Sequence, residues 1–181
     1  MRKLWRLGGR AAVVLIVVVA TSFVSATAAQ AYELVGYLQN HQTKACLDSN
    51  KAGDVYTLEC QYGNGYQTWR IQGPVGRSHD GYEQVRIINK ATGLCLKMFL
   101  SPGNNNSMSV KTSYCVNVKN EGVFDGRGPN WQNVQLRGLH YWTFGRQLCV
   151  DSVRAGMAYA NICNWGTYQT WRLSVLPESK W

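Results

Sequence analysis

Few charges and no long helical periodicity separate this sequence from several common classes of protein. Only 16% of its 181 residues are charged, whereas glycine occurs 18 times and aromatic residues make up 12%. The scarcity of charge and the abundance of glycine exclude a coiled coil, and the aromatic content excludes a disordered chain. The length allows one ordinary domain or two very small ones, which excludes a large multidomain enzyme.

Motifs of catalysis, cofactor binding and metal binding are also missing. We find no G-x-S-x-G, H-E-x-x-H, P-loop or dinucleotide fingerprint, and the three histidines, His41, His79 and His140, lie in unlike contexts. Nothing indicates a carboxylate pair for glycoside hydrolysis. No C-x2-C pair occurs, and the closest cysteines are 14 positions apart. We therefore expect no enzyme, no cofactor and no metal site.

The first 31 residues have the pattern of a cleaved signal peptide. A basic segment precedes an unbroken apolar run over residues 11–20, and two A-x-A cleavage patterns follow at residues 26–28 and 29–31. Polar residues at 21, 22 and 25 keep the apolar run shorter than the roughly 20 residues that span a membrane. We predict that residues 1–31 are removed, that residues 32–181 form one secreted domain, and that no stable membrane insertion remains.

The charge of the mature chain is mild and scattered. Removing residues 1–31 takes away four basic and no acidic residues, which leaves 15 basic against 10 acidic residues, or +5. No Lys/Arg block remains, whereas a nucleic-acid partner normally requires a clustered basic stripe. We expect no nucleic-acid partner.

Two copies of one pattern lie 102–103 positions apart. Residues 46–49, Cys-Leu-Asp-Ser, return as Cys-Val-Asp-Ser at 149–152, and in both copies a second cysteine follows the first by 14 positions. The segment Tyr-Gln-Thr-Trp-Arg at 66–70 returns unchanged at 168–172. Repetition on this scale indicates a repeat architecture.

A weaker copy lies between these two and completes a period near fifty residues. It has Cys95, then Cys115 twenty positions later, and Gln132 two positions before Val134 where the other copies have Gln-x-Trp. The most economical disulfide pairing is within each copy, as Cys46–Cys60, Cys95–Cys115 and Cys149–Cys163. An oxidising compartment favours disulfides over free thiols in an exported domain.

Short strands separated by turn residues fill the mature chain and predict an all-β fold. Eleven candidate strands cover residues 34–39, 45–48, 55–59, 68–72, 84–88, 94–98, 108–114, 131–136, 148–151, 157–162 and 170–175. Residues 116–130 are predicted to be a long surface loop inserted in the middle copy. Four strands in each of three copies indicate a closed architecture with pseudo-threefold symmetry.

The ordered pattern of Cys-x-Asp, second cysteine and Gln-x-Trp resembles the ricin-type β-trefoil lectin domain. The resemblance covers nearly all of residues 34–176 and implies a twelve-stranded β-trefoil with one potential sugar site in each of three pseudo-symmetric repeats. In that family the Asp after the first cysteine binds sugar hydroxyls, an aromatic residue two positions before the second cysteine stacks on the sugar, and an Asn beside the Gln completes the site.

This chain keeps only part of that set of residues. Asp48 and Asp151 match, whereas the middle repeat has Lys97 and is predicted to be structural only. The stacking position holds Leu58, Ser113 and Asn161, and the Asn position holds Tyr66, Trp131 and Tyr168. Tyr56 and Tyr159 lie two residues before Leu58 and Asn161, on the same strand face, and offer a substitute ring. The candidate sugar-binding residues are Asp48, Tyr56, Gln67, Asp151, Tyr159, Asn161 and Gln169.

Structural roles compete with ligand binding for each of these residues. The two tryptophans of Gln-x-Trp, Trp69 and Trp171, are expected in the core. Gln67 and Gln169 are equally suited to fixing a turn, and Asp48 and Asp151 to closing Asx-turns. Tyr56 and Tyr159 are equally explained as surface aromatics. We expect a secreted lectin-like protein that binds a glycan or polysaccharide, and the alternative is a protein-binding or inhibitory β-trefoil that has lost sugar binding.

Overall fold

The computed structural model of the chain describes residues 30–100, 108–116, 122–139, 147–154 and 156–176. Residues 1–29 of the predicted signal peptide lie outside the described part of the chain, and residues 30 and 31 lie within it. Twelve β-strands lie in the described part: β1 Tyr32–Asn40, β2 Cys46–Ser49, β3 Val55–Leu58, β4 Thr68–Arg77, β5 Glu83–Asn89, β6 Cys95–Leu100, β7 Met108–Ser113, β8 Phe124–Asn130, β9 Asn133–Gly138, β10 Leu148–Asp151, β11 Tyr159–Ile162 and β12 Thr170–Val175.

Six of the strands close into an antiparallel barrel. The pairs run β1–β4, β4–β5, β5–β8, β8–β9, β9–β12 and back from β12 to β1. The remaining strands form three hairpins, β2–β3, β6–β7 and β10–β11, and each pairs with the strand that precedes it. Each repeat thus contributes two barrel strands and one hairpin, which confirms the predicted all-β fold with threefold pseudo-symmetry.

The three predicted disulfides are present, each within one repeat. Cys46 bonds to Cys60, and Cys149 bonds to Cys163, with Cα–Cα distances of 5.0 and 5.1 Å. The third bond joins Cys95 and Cys115. In each case the first cysteine is the first or second residue of a hairpin's first strand, and the second cysteine follows the end of the other strand, so the bond closes the open end of the hairpin.

Trp69 and Trp171 lie fully buried inside the barrel, as predicted. Each indole N–H donates to a backbone carbonyl of the hairpin in its own repeat, Leu47 at 2.9 Å and Val150 at 3.0 Å. A buried indole requires such an acceptor, because an unpaired N–H away from water costs free energy. The two tryptophans therefore connect hairpin to barrel in the first and third repeats.

Residues 116–130 are not a long surface loop, because residues 124–130 form barrel strand β8. Gly126, Arg127 and Gly128 have the glycine-rich composition of a turn, yet they lie within the strand. The pairing of β8 with β9 shifts register between Arg127 and Asn130, and Gly128 takes a φ of 146° there. A Cβ at Gly128 would collide with the backbone carbonyl of Asn133, so glycine is required for this bulge.

The middle repeat places Phe124, and not Val134, where the other repeats have tryptophan. Trp69, Trp171 and Phe124 each lie between the first strand of their own repeat and the first strand of the next. Their cross-strand partners are Gly36 and Asn89 for Trp69, Val134 and Asn40 for Trp171, and Val85 and Gly138 for Phe124. Phe124 is fully buried, and the residue two positions before it is Gly122. The middle repeat therefore lacks both the Gln and the Trp of the pattern.

Candidate functional site

The hairpins of the first and third repeats place a carboxylate opposite a tyrosine. Asp48 on β2 is the cross-strand partner of Tyr56 on β3, and Asp151 on β10 is the partner of Tyr159 on β11. Directly opposed residues project from the same face of a hairpin and contact each other. The predicted pairs of Asp and Tyr are thus brought together in both repeats.

Asp48 is buried, with 3% of its surface exposed, and the polar groups around it hold its carboxylate. Burial raises the pKa of Asp48 above its usual value of 3.8, against the opposing effect of contacts from the Gln67 amide, the Ser49 backbone N–H and the Tyr56 hydroxyl. The desolvation of the charged form is therefore not fully compensated inside the chain. A ligand that donates further hydrogen bonds to this carboxylate would supply the missing compensation.

Asp151 has a better-defined set of donors, and they reach only one of its oxygens. Its Oδ2 accepts hydrogen bonds from Gln169 Nε2 at 2.9 Å and from Asn161 Nδ2 at 3.2 Å. Its Oδ1 is buried and accepts no hydrogen bond from the described residues. The Oδ1 atom of Asp151 therefore has no hydrogen-bond donor among the described residues. The Asn161 side chain, which donates to the other oxygen, is exposed.

Gln67 and Gln169 fix the loop that enters the last strand of each repeat. Gln67 accepts from the backbone N–H of Gln61 at 2.7 Å and donates to the carbonyl of Glu59 at 2.9 Å. Gln169 accepts from the N–H of Asn164 at 2.9 Å and also donates to Ile162 O at 2.8 Å. Both amides are fully buried. The turn-fixing role is therefore observed, and in the same position each amide also contacts the neighbouring aspartate.

Tyr56 and Tyr159 are half-buried, and the hydroxyl of each lies in hydrogen-bonding contact with the aspartate opposite it. Burial raises the pKa of each phenol, and the negative charge of the adjacent Asp48 or Asp151 raises it further. The hydroxyls therefore stay protonated at neutral pH and donate to these carboxylates.

The middle repeat has a different chemistry at the same positions. Lys97 replaces the aspartate and faces Lys111 across β6 and β7. Lys97 is 3% exposed, and its Nζ lies 3.4 Å from the carbonyl of Val116. Lys111 is exposed and lies 3.6 Å from the carboxylate of Asp54. No acceptor for a sugar hydroxyl stands at the position of the aspartate.

Two exposed aromatic residues near the candidate sites were missed in the sequence. Tyr62 and Trp165 each lie two positions after the second cysteine of their repeat, and their exposed fractions are 69% and 54%. The guanidinium of Arg127 lies 4.4 Å from the Trp165 ring centroid. Their identical position relative to the cysteine was a detectable signal, because it recurs in both intact copies.

Comparison with solved structures identifies the architecture. A designed threefold-symmetric protein, ThreeFoil, is similar with a TM-score of 0.61 at 16% identity, over 77% of this chain and 96% of that chain. The chain is a β-trefoil. The Haemophilus ducreyi cytolethal distending toxin is similar at 17% identity with a TM-score of 0.57, over 77% of this chain and 81% of that chain.

The hemolytic lectin CEL-III is also similar to this β-trefoil, at 18% identity with a TM-score of 0.56, over 77% of this chain and 30% of that chain. No protein-family model matches the sequence, and neither does any curated protein. At these identities the likeness establishes the shared fold.

The described residues lack two further features. They contain no cluster of three or more His, Cys, Asp or Glu side chains arranged to hold a metal ion. They also contain no helix with the length and apolar character needed to cross a membrane.

Proposed function

We propose that this β-trefoil is a secreted carbohydrate-binding protein without catalytic activity, with weak sugar sites in its first and third repeats. The observation that carries the proposal is the recurrence of one constellation. In both repeats a buried aspartate lies opposite a half-buried tyrosine and against a buried glutamine amide. The middle repeat, with Lys97 at the aspartate position, has a structural role only.

The chemistry of the constellation suits a sugar ring. An ionised carboxylate accepts charge-assisted hydrogen bonds from hydroxyls, and an aromatic ring covers the C–H face of a pyranose. In the third repeat, Asp151 Oδ1 lacks a donor, and a ligand hydroxyl would supply one. That oxygen is covered in the unbound chain, so the ligand must displace the surface side chain of Asn161 or Tyr159 to reach it.

Each site alone should bind weakly. The stacking position of the resembling family holds Leu58 and Asn161 here, so neither site has the full set of contacts. We expect dissociation constants on the order of 1 mM, or about −4 kcal/mol. Two sites on one molecule can still retain a polysaccharide, since the second contact is intramolecular once the first has formed.

Secretion is part of the proposal and is supported by two features. Residues 1–31 have the pattern of a signal peptide, and the six cysteines form three disulfides. Disulfides form and persist in oxidising compartments, which include the extracellular space.

The test is retention on a polymeric glycan, chosen from a glycan array of the purified protein. Replacing Asp48 and Asp151 together by Asn keeps the size of both side chains and should abolish retention, while each single change should leave part of it. Asp54→Asn is the matched control, because Asp54 is an exposed aspartate on the same face of the first repeat and pairs with Lys111. Retention of the double variant at the wild-type level, with an unchanged fold, would refute the proposed sites.

A protein-binding or inhibitory role is the second candidate, and exposed apolar side chains favour it. The exposed fractions are 43% for Leu58, 46% for Ile162 and 76% for Tyr114, all at or beyond the open ends of the hairpins. Each of the three hairpins thus carries an exposed apolar side chain that a protein partner could cover. Binding to no glycan on the array, together with capture of one defined protein that is lost in a Tyr114→Ser variant, would establish this role instead.

A further inference from the structure

A cleft on the barrel lies apart from the hairpins that carry Asp48 and Asp151. It opens between the segment that enters β5 and the turn that joins β8 to β9, with a volume of about 320 Å³. Its walls include Tyr82, Glu83, Gly126, Pro129, Asn130 and Trp131. This volume falls within the range of small-ligand sites, which combine apolar walls with a few convergent polar groups. The cleft shares no residue with the sugar sites proposed above.

The apolar wall of the cleft includes the indole of Trp131, which Gly126 leaves uncovered because it has no side chain. Trp131 is half-buried and packs against the core, and a Cβ built on Gly126 would lie 3.5 Å from the Cζ2 and Cη2 atoms of its ring. Because Gly126 carries no side chain, that part of the ring borders the cleft. Pro129 adds a second apolar surface. The flat apolar face of an indole is the kind of surface on which the C–H face of a sugar ring packs.

The polar wall is a carboxylate held in place by a chain of hydrogen bonds. The Trp131 Nε1–H donates to Tyr32 Oη at 3.3 Å, and the Tyr32 hydroxyl donates to Glu83 Oε2 at 2.8 Å. Burial, helped by the neighbouring Glu83, raises the pKa of Tyr32 to about 12, so this hydroxyl keeps its proton. The stacking surface and the acceptor are therefore positioned by the same contacts.

The remaining groups restrict the charge of a ligand. The Glu83 carboxylate repels an anionic sugar. Arg77 lies 3.7 Å from Glu83 Oε1 and offsets part of its charge. The cleft therefore offers little attraction to an alkylammonium ligand, the other class that aromatic walls with a carboxylate can bind. Asn130 uses its carbonyl oxygen for the turn, accepting from Gln132 N–H at 2.9 Å, which leaves its NH₂ group as a donor.

We propose that the cleft formed by Trp131, Glu83 and Asn130 is a further binding site for a neutral pyranose unit. The sugar stacks its C–H face on Trp131, donates hydroxyl protons to Glu83 and accepts from Asn130. This site does not depend on the proposed sites at Asp48 and Asp151, and it would extend the contact of one molecule with a polysaccharide across the barrel.

The test follows the indole N–H of Trp131 by ¹H–¹⁵N NMR during titration of the purified protein with neutral oligosaccharides. The signal is assigned by its loss in Trp131→Phe. Saturable shifts are expected with at least one neutral oligosaccharide and not with its uronate analogue. Glu83→Gln, which removes the charge and keeps an acceptor for Tyr32, should weaken binding by about tenfold. Gly126→Val, which fills the cleft, should abolish it.

Two control variants establish whether the shifts come from binding in this cleft. Gly122→Ala introduces a methyl group that meets Lys97 at 3.4 Å outside the cleft, and it should leave the titration unchanged. The Asp48→Asn/Asp151→Asn variant should also keep the Trp131 shifts, even if it loses retention on polymer. The proposal is overturned if no neutral oligosaccharide shifts the signal, if the shifts survive in folded Gly126→Val, or if tetramethylammonium or a uronate binds in preference.

Discussion

Arg137 on β9 and Asp125 on β8 form an ion pair across two neighbouring barrel strands, with exposed side-chain fractions of only 1% and 0%. Asp80, which is partly exposed, lies 2.7 Å from the same guanidinium. Burial raises the pKa of Asp125 despite the opposing effect of Arg137. Burial therefore destabilises the charged form of both side chains, and their mutual attraction offsets part of this cost.

Removing one member of this pair should destabilise the fold strongly. Asp125→Leu removes the buried carboxylate that pairs with the buried Arg137 guanidinium, and we expect a loss of about 3–5 kcal/mol in the free energy of unfolding. Urea denaturation monitored by circular dichroism measures it. The control is Asp125→Leu combined with Arg137→Met, which removes both charges and should recover most of the loss. A single variant as stable as wild type would contradict the prediction.

Acid should weaken the outer contact of this cluster. Hydrogen bonding to Arg137 lowers the pKa of Asp80 below its usual 3.8. A carboxyl group with a lowered pKa in the folded state stabilises the fold fully above its unfolded pKa, and that contribution is lost as the pH falls through the folded pKa. We expect the difference in unfolding free energy between wild type and Asp80→Asn to be constant above about pH 5. The difference should disappear at pH values below both pKa values. Thermal unfolding at a series of pH values measures it, and a difference that grows on acidification would contradict this sign.

The first and third repeats were predictable because their landmarks are local in sequence. The spacing of Cys46 and Cys60 and its copy at Cys149 and Cys163 are enough to pair the cysteines and set the phase of the hairpins. The tryptophans follow the second cysteine by 9 and 8 positions and need the interior for their large apolar surface. Asp48 and Tyr56 were linked by the stacking position that the resemblance implies at Leu58, together with the strand periodicity that puts Tyr56 on the same face.

The middle repeat was not predictable in the same way. Phe124 replaces tryptophan and Gly122 replaces glutamine, so the middle repeat keeps its cysteines but lacks the Gln-x-Trp landmark. Only the barrel register, with Phe124 between Val85 and Gly138, reveals the equivalence. The cleft at Trp131 was also hidden, because Tyr32, Glu83 and Trp131 come from three distant segments and have no shared pattern.

The buried position of Phe124 predicts a large cost for its truncation. Phe124→Ala should lower the free energy of unfolding by about 3–5 kcal/mol, because the barrel can collapse only partly around the cavity. Phe124→Leu should cost much less, since it keeps most of the volume. Denaturation in guanidinium chloride compares the two variants. A loss below about 1 kcal/mol for Phe124→Ala would mean that this residue does not fill the tryptophan position of the middle repeat.

Charge removal at Lys97 should leave glycan binding intact. Lys97 stands where Asp48 and Asp151 stand in the other hairpins, and its Nζ contacts only the Val116 carbonyl among the described polar groups. Lys97→Met keeps the chain length of the side chain and removes a desolvated ammonium group. We therefore expect unchanged retention on the polymeric glycan and a thermal midpoint equal to or above that of wild type. Lys111→Met, at the exposed cross-strand position, is the matched control for a general effect of net charge. Retention that falls in Lys97→Met but not in Lys111→Met would show that the middle repeat binds sugar after all.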